Sequence, residues 1–277
     1  MPGLSVADGT PRDCSSNRCG SQADTSIIRD SEIEKGKVGP LGRTEGNGAV
    51  NATTMIQSFM SGAAAPTNDG AADATGVEDD IDQSQLRDGR RSKQTRGLGS
   101  FLSGLFGGGQ DNSGAGNKTE TAAETNVAAT AGKGAASGLP TCADDGSITM
   151  TFRQINQDGA GPMEAAVDGT SGGTDPAAFQ PAEVTQDVPG IGFGGLSLAT
   201  NTDFPVTVQM PAGMTCDATV GGASNVCVVR VRNGAAAGPF GGSAAFTQSA
   251  AARKRAIQYR LKKRAAENRR RHLLEGR

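Results

Sequence analysis

This chain of 277 residues has no tryptophan, one tyrosine and one histidine. Each shortage removes a class of function. A Ser-His-Asp arrangement needs a histidine base inside a folded site, and the sole candidate, His272, sits in a run of arginines near the C-terminus. Zinc centres draw four closely spaced ligands from Cys and His. The chain has no CxxC, and its five cysteines, Cys14, Cys19, Cys142, Cys216 and Cys227, are scattered. Aromatic residues at 4% supply few platforms for stacking sugars or bases and few large side chains for a core. No apolar run is long enough to cross a membrane, and no cationic and apolar leader follows Met1. These shortages lead us to expect no catalytic residues, no metal site and no cofactor.

Apolar content is 35% with 41 glycines, against about 45–50% for globular domains when glycine is counted. One modest domain plus unstructured chain is expected. Net charge is −2, but it is unevenly placed. From Arg253 onward eleven Lys or Arg face Glu267 and Glu275, while sixteen basic residues before Arg253 face twenty-seven acidic ones, a balance of −11. An acidic body with a basic tail does not have the field of a specific nucleic-acid-binding domain.

The clearest structural signal lies between Phe204 and Phe246. Val206, Val208 and Met210 alternate with Thr207 and Gln209, and Cys227, Val229 and Val231 with Val228, Arg230 and Arg232. Period two means strands with one buried face. Gly213 and the pair Gly221-Gly222 supply turns between them. A hairpin then brings Cys216 opposite Cys227, and a disulfide there would contribute about 3 kcal/mol by loop-closure entropy. Ile148, Met150 and Phe152 mark another strand, and Val184 to Val188 a short one. Strands separated by glycine-rich turns, without helical periods between them, indicate a mainly β fold with a single small β-sandwich-like domain.

The domain is expected in two parts, residues 1–61 and 140–248. Cys14 and Cys19 enclose a loop that a disulfide can close. Met55, Ile56, Phe59 and Met60 share one side of a helix starting near Asn51. Residues 62–139, rich in Ala, Gly, Thr, Asp and Asn, read as a long disordered insertion, since they hold too little apolar surface to offset ordering entropy. Within it Leu98, Phe101, Leu102, Leu105 and Phe106 form a helical stripe preceded by basic residues, a short motif for a partner groove or membrane surface. Residues 249–277 read as a basic helical tail, frayed or free in solution, that holds acidic polymers by charge. Its pairs Lys254-Arg255 and Lys263-Arg264 are candidate processing sites, and Asn51 and Asn117 head glycosylation sequons.

Three other patterns lack their context. Gly190-Ile-Gly192-Phe-Gly194-Gly195 fits a dinucleotide fingerprint, but no helical period follows before Pro205. Ala265 to Arg269 invites a basic-zipper comparison, but the chain ends without heptads. The carboxylate pairs Asp79-Asp80 and Asp144-Asp145 lie in the insertion and in a turn, not across a sugar cleft.

Several stretches in order resemble the Egh-like family of secreted fungal virulence factors of appressorium formation and host penetration. They are Val6 to Asn17, Gln22 to Asp30, Ile148 to Pro162, Thr202 to Cys216, Gly221 to Asn233 and Ala237 to Gly242. The resemblance implies a secreted, extracellular fungal glycoprotein at the cell surface or host interface, with a cell-wall or host-surface polymer as its partner and no established catalysis. It also implies a start placed too far downstream here, since relatives carry a signal peptide. Met163 and Ser243 stand where several relatives have cysteine, which leaves open what pairs with Cys142. An N-terminal histidine in some relatives keeps a copper-dependent or otherwise carbohydrate-active, polysaccharide-modifying protein as the alternative.

Overall fold

The computed structural model describes residues 1–64, 66–68, 116–119, 121–192 and 194–275. The helical stripe Leu98–Phe106 and the pair Asp79-Asp80 lie outside them. Among the described residues eleven strands form one antiparallel sheet. They are β1 (Ser26–Ile27), β2 (Arg43–Thr44), β3 (Gly48–Ala49), β4 (Asn117–Lys118), β5 (Ser147–Gln154), β6 (Glu164–Asp168), β7 (Phe179–Gln186), β8 (Thr202–Gln209), β9 (Ala218–Val220), β10 (Ala223–Arg232) and β11 (Phe240–Thr247). The order is β3-β2-β1-β11-β10-β6-β7-β8, with β4 and β5 on β8 and β9 on β10.

The sheet folds back on itself at β7. Residues 179–182 pair with β6 while 183–186 pair with β8, with a register shift between Val184 and Gln186. A strand that changes partners along its length makes the corner of an orthogonal packing. The fold-back lets Ile148, Phe204, Val206 and Val208 of one half meet Val167, Val229, Val231 and Phe246 of the other in an inner core. The other face of β10 and β11 carries an outer core with Leu4, Leu41, Met55, Ile56, Phe59, Val127 and Leu139. β10 therefore lies between two cores, and Val226, Cys227, Val228 and Val229 are all fully buried.

Cys216 and Cys227 are disulfide-bonded, as are Cys14 and Cys19; Cys142 is a buried free thiol. The hairpin that brings Cys216 near Cys227 is β9–β10, closed by Gly221 (φ +57°) and Gly222 (φ +87°). Both turn residues need positive φ, which glycine adopts without strain. A Cβ on Gly221 would also strike Ile56 at 2.8 Å. β8, the other alternating run of that stretch, pairs with β5 and β7 in the opposite half.

Among the described residues five α-helices accompany the sheet: α1 (Asp30–Glu34), α2 (Ala52–Ser61), α3 (Asn126–Thr130), α4 (Gly134–Ser137) and α5 (Ala250–Glu275). The expected helix near Asn51 is α2; Asn51 caps it by accepting the N–H of Thr53, and Met55, Ile56 and Phe59 are buried. Two expectations need correction. Residues 121–139, assigned to the disordered insertion, hold α3 and α4. Composition misled there because the ordering contacts come from the far N-terminus. The Asp8 carboxylate accepts the N–H groups of Val127 and Ala128 at 3.0 and 2.7 Å, Pro11 bridges Ala123, and Val127 enters the outer core. The basic tail is a helix as expected, but its start is docked rather than free. Ala252 and Ala256 are buried, and Arg253 donates to the Cys216 carbonyl and to Asp217, both at 2.8 Å. Arg260 donates to the Thr215 hydroxyl at 3.0 Å, whereas Leu261 to Leu274 are exposed throughout.

Candidate functional site

A cleft of ≈ 680 Å³ opens between β5 and β11, with Met1 to Val6 along one side and Glu124 to Thr130 near one end. Its volume lies in the range of small-molecule and peptide sites. β5 lines it with every residue from Ile148 to Arg153, and β11 with every residue from Phe240 to Phe246. Consecutive strand residues point to opposite faces, so a surface lined by all of them meets the strands at their edges.

One end of the cleft is a closed ion cluster. The Arg12 guanidinium spans Asp24 (Nη1–Oδ1 2.9 Å, Nη2–Oδ2 2.5 Å) and Glu124 (Nε–Oε2 3.0 Å). All three side chains are at most 7% exposed. The remaining acceptor capacity is taken by backbone: Asp24 accepts the N–H of Ala7, and Glu124 accepts those of Thr125 and Asn126. Burial works against the Glu124 charge, but the Asn126 N–H and Arg12 outweigh it and hold the carboxyl below its usual value. Burial also works against the Arg12 charge; Asp24 and Glu124 overcome it and raise its pKa. Nearby, Arg153 pairs with Asp203 through Nε at 2.9 Å and Nη2 at 3.3 Å. Arg153 Nη1 and Ser243 Oγ, on opposite walls, are buried with no hydrogen-bond partner among the described residues.

This arrangement suits binding. The charged groups at its end are engaged with one another. The remaining surface consists of peptide edges, the exposed Thr149 and Thr151, of which Thr149 bonds the Thr207 hydroxyl at 2.9 Å, and the half-buried side chains of Met150 and Phe152. The carboxyls that burial raises above their usual value, Asp158 and Asp187, are not among the lining residues. Among the described residues no group of three or more His, Cys, Asp or Glu is placed to hold a metal ion.

None of the disulfide, glycosylation or processing candidates lines the cleft, whereas Ile148, Met150 and Phe152, read from the sequence as a strand, do. Cys14, Cys19, Cys216 and Cys227 form the two disulfides on other parts of the surface and core. Asn51 and Asn117 are exposed, one capping α2 and one on β4. Lys254, Arg255, Lys263 and Arg264 are exposed on α5. The Arg12–Asp24–Glu124 cluster went unseen because Arg12 and Glu124 are 112 residues apart, and single charges in irregular segments carry no periodic signal. The loop Gly190 to Gly195 joins β7 to β8 with no helix after it.

The Egh16-like virulence factor model matches residues 1–241. The chain belongs to the Egh16-like virulence factor family. It is 49% identical over 265 residues to "Appressoria-specific virulence factor GAS2" of Pyricularia oryzae, covering 95% of this chain and 84% of that protein. It is 38% identical over 129 residues to "Appressoria-specific virulence factor GAS1" of the same fungus, covering 45% of this chain and 50% of that one. No solved structure matches. The matched residues hold the whole sheet up to the start of β11, both disulfides and most of the cleft, so this architecture is an Egh16-like one.

Proposed function

We propose that the protein is a secreted appressorial virulence factor that acts at the fungal cell surface or the host interface by binding rather than by turnover. The observation that carries this reading is the near full-length similarity to GAS2. The two disulfides support it, because such cross-links persist in oxidising compartments. No described helix is long and apolar enough to cross a membrane. The asparagines that head the two sequons, Asn51 and Asn117, are exposed. The undocked half of α5, with Lys262, Lys263, Arg264 and Arg269 to Arg271 exposed, is the element suited to an acidic wall polymer. Of the two dibasic pairs, Lys263-Arg264 is the more accessible to a processing protease. Lys254-Arg255 sits in the turns anchored by Arg253 and Ala256.

The test is localisation of a tagged protein in its native fungus during appressorium formation, with non-reducing peptide mapping of the recovered material. Recovery from the wall or medium with both disulfides formed and with salt-sensitive retention on wall polymers is expected. Recovery from cytosol with Cys216 and Cys227 reduced, or release of soluble sugars from wall material by the pure protein, would overturn the reading.

A further inference from the structure

Edge strands expose unpaired peptide groups, and proteins usually keep them very short or block them with Lys, Pro, bulges or a covering segment. β3 and β4 follow this rule with two residues each, and β9 with three. β5 does not. It runs eight residues, pairs with β8 in unbroken register from Ser147 to Gln154, and has no second neighbour among the described residues. Its sequence, SITMTFRQ, holds no Lys, Pro or Gly.

We propose that the free edge of β5 takes up an extended peptide of a partner protein as an added strand. The site is built for one strand. β5 forms one wall, and β11 faces it as the other. β11 is already bonded to β1 and Leu4 at its start and to Pro140 and Cys142 at its end. β5 and β11 thus bound a cleft of ≈ 680 Å³ beside the free edge.

Side-chain pattern defines the ligand further. Ile148, Met150 and Phe152 turn toward the inner core, and Thr149 and Thr151 toward solvent. An added strand meets this surface best with apolar residues at alternate positions, the rule for recognition by strand addition. A polysaccharide is the weaker fit, because a ladder of alternating donors and acceptors matches peptide spacing and the cleft offers only Phe152, Phe240 and Phe246 as rings. This inference concerns what is bound, and stands whether or not the protein is secreted.

The test uses the full chain and amide hydrogen exchange. In the free protein, alternate amides from Ile148 to Arg153 are expected to exchange far faster than those of β10. The probe is the synthetic peptide Lys-Val-Thr-Val-Thr-Val-Thr-Lys, with a control carrying proline at both central positions. Binding of the first should slow the β5 amides by about tenfold or more, a local effect of strand pairing, and the control should leave them unchanged. Met150→Lys, which places a charge on the cleft wall, should abolish the effect, while Gln180→Lys on exposed β7 should preserve it. If Met150→Lys does not fold, the proline control alone decides. β5 amides already protected in the free protein, no binding of the probe, binding indifferent to proline, or protection of β5 by linear oligosaccharides instead would each overturn the proposal.

Discussion

Between Ser26 and Ala49 no strand exceeds two residues, whereas β5, β7, β8 and β11 run eight and β10 runs ten. The long strands cohere through apolar alternation around the inner core. The N-terminal third adds apolar side chains to the outer core, but its irregular backbone is positioned by guanidinium groups. Arg12 joins residues 24 and 124, and Arg29 donates to the carbonyls of Ala237 and Gly238. From the sheet, Arg230 reaches the Pro40 carbonyl and Arg232 grips Asp30. One half is thus sensitive to lost volume and the other to lost charge balance.

The largest effect is expected at Arg12. Replacing it by Ala leaves two carboxylates buried without their partner, which costs about 3–5 kcal/mol. Chemical denaturation of Arg12→Ala measures this, and adding Asp24→Asn and Glu124→Gln should restore part of the loss. Val229→Ala in β10 removes buried methyl groups from the inner core, at an expected cost of about 2 kcal/mol. If Arg12→Ala costs less than Val229→Ala, the N-terminal third is held by its apolar contacts and the contrast fails.

The two disulfides sharpen the same comparison. They close loops of sequence separation 11 (Cys216–Cys227) and 5 (Cys14–Cys19), which loop-closure entropy converts to about 3 and about 2 kcal/mol. Cys216 and Cys227 are fully buried against β10, while Cys14 and Cys19 are only half-buried. A mild reductant followed by alkylation should therefore label Cys14 and Cys19 first. Cys142, with burial pushing its thiol pKa up, should resist alkylation until the chain unfolds. Early labelling of Cys227 would show that the β-rich half opens as readily as the other.

How much of this was legible in the sequence follows the same division. Alternation revealed β5, β8 and β10, and helical spacing revealed α2, because each signals burial through its own neighbours. β11 was missed although it lines the cleft. Its sequence FGGSAAFT puts small residues where a strand normally shows β-branched ones, and such a strand is recruited by its partners rather than by propensity. Nothing in the sequence around Asn233 marks its role. It is a buried clamp: its Nδ2 donates to the carbonyls of Asp158 and Ala160, and its Oδ1 accepts the N–H groups of Ala235 and Phe240. The cleft stayed hidden for the same reason as the Arg12 cluster, since its walls are distant segments and its defining property is an edge left unpaired.

The smallest effect expected is also the most discriminating, because it has opposite signs in the two halves. Glu124 is held below its usual pKa, so its contribution is fully present near neutral pH and is lost as pH falls through its folded value. Asp158, in the loop after β5, is held above its usual pKa by burial, and its Oδ1 has no partner among the described residues. Its folded form binds the proton more tightly, so stability falls as pH rises from the ordinary carboxylate range through that raised value. Glu124→Gln should therefore destabilise near neutral pH, and the loss should shrink in acid. Asp158→Asn should give a small gain near neutral pH that disappears in acid. Thermal unfolding of both variants across that range checks the pair. If both changes carry the same sign at neutral pH, the apolar half does not disfavour an unpaired charge in the way its packing requires.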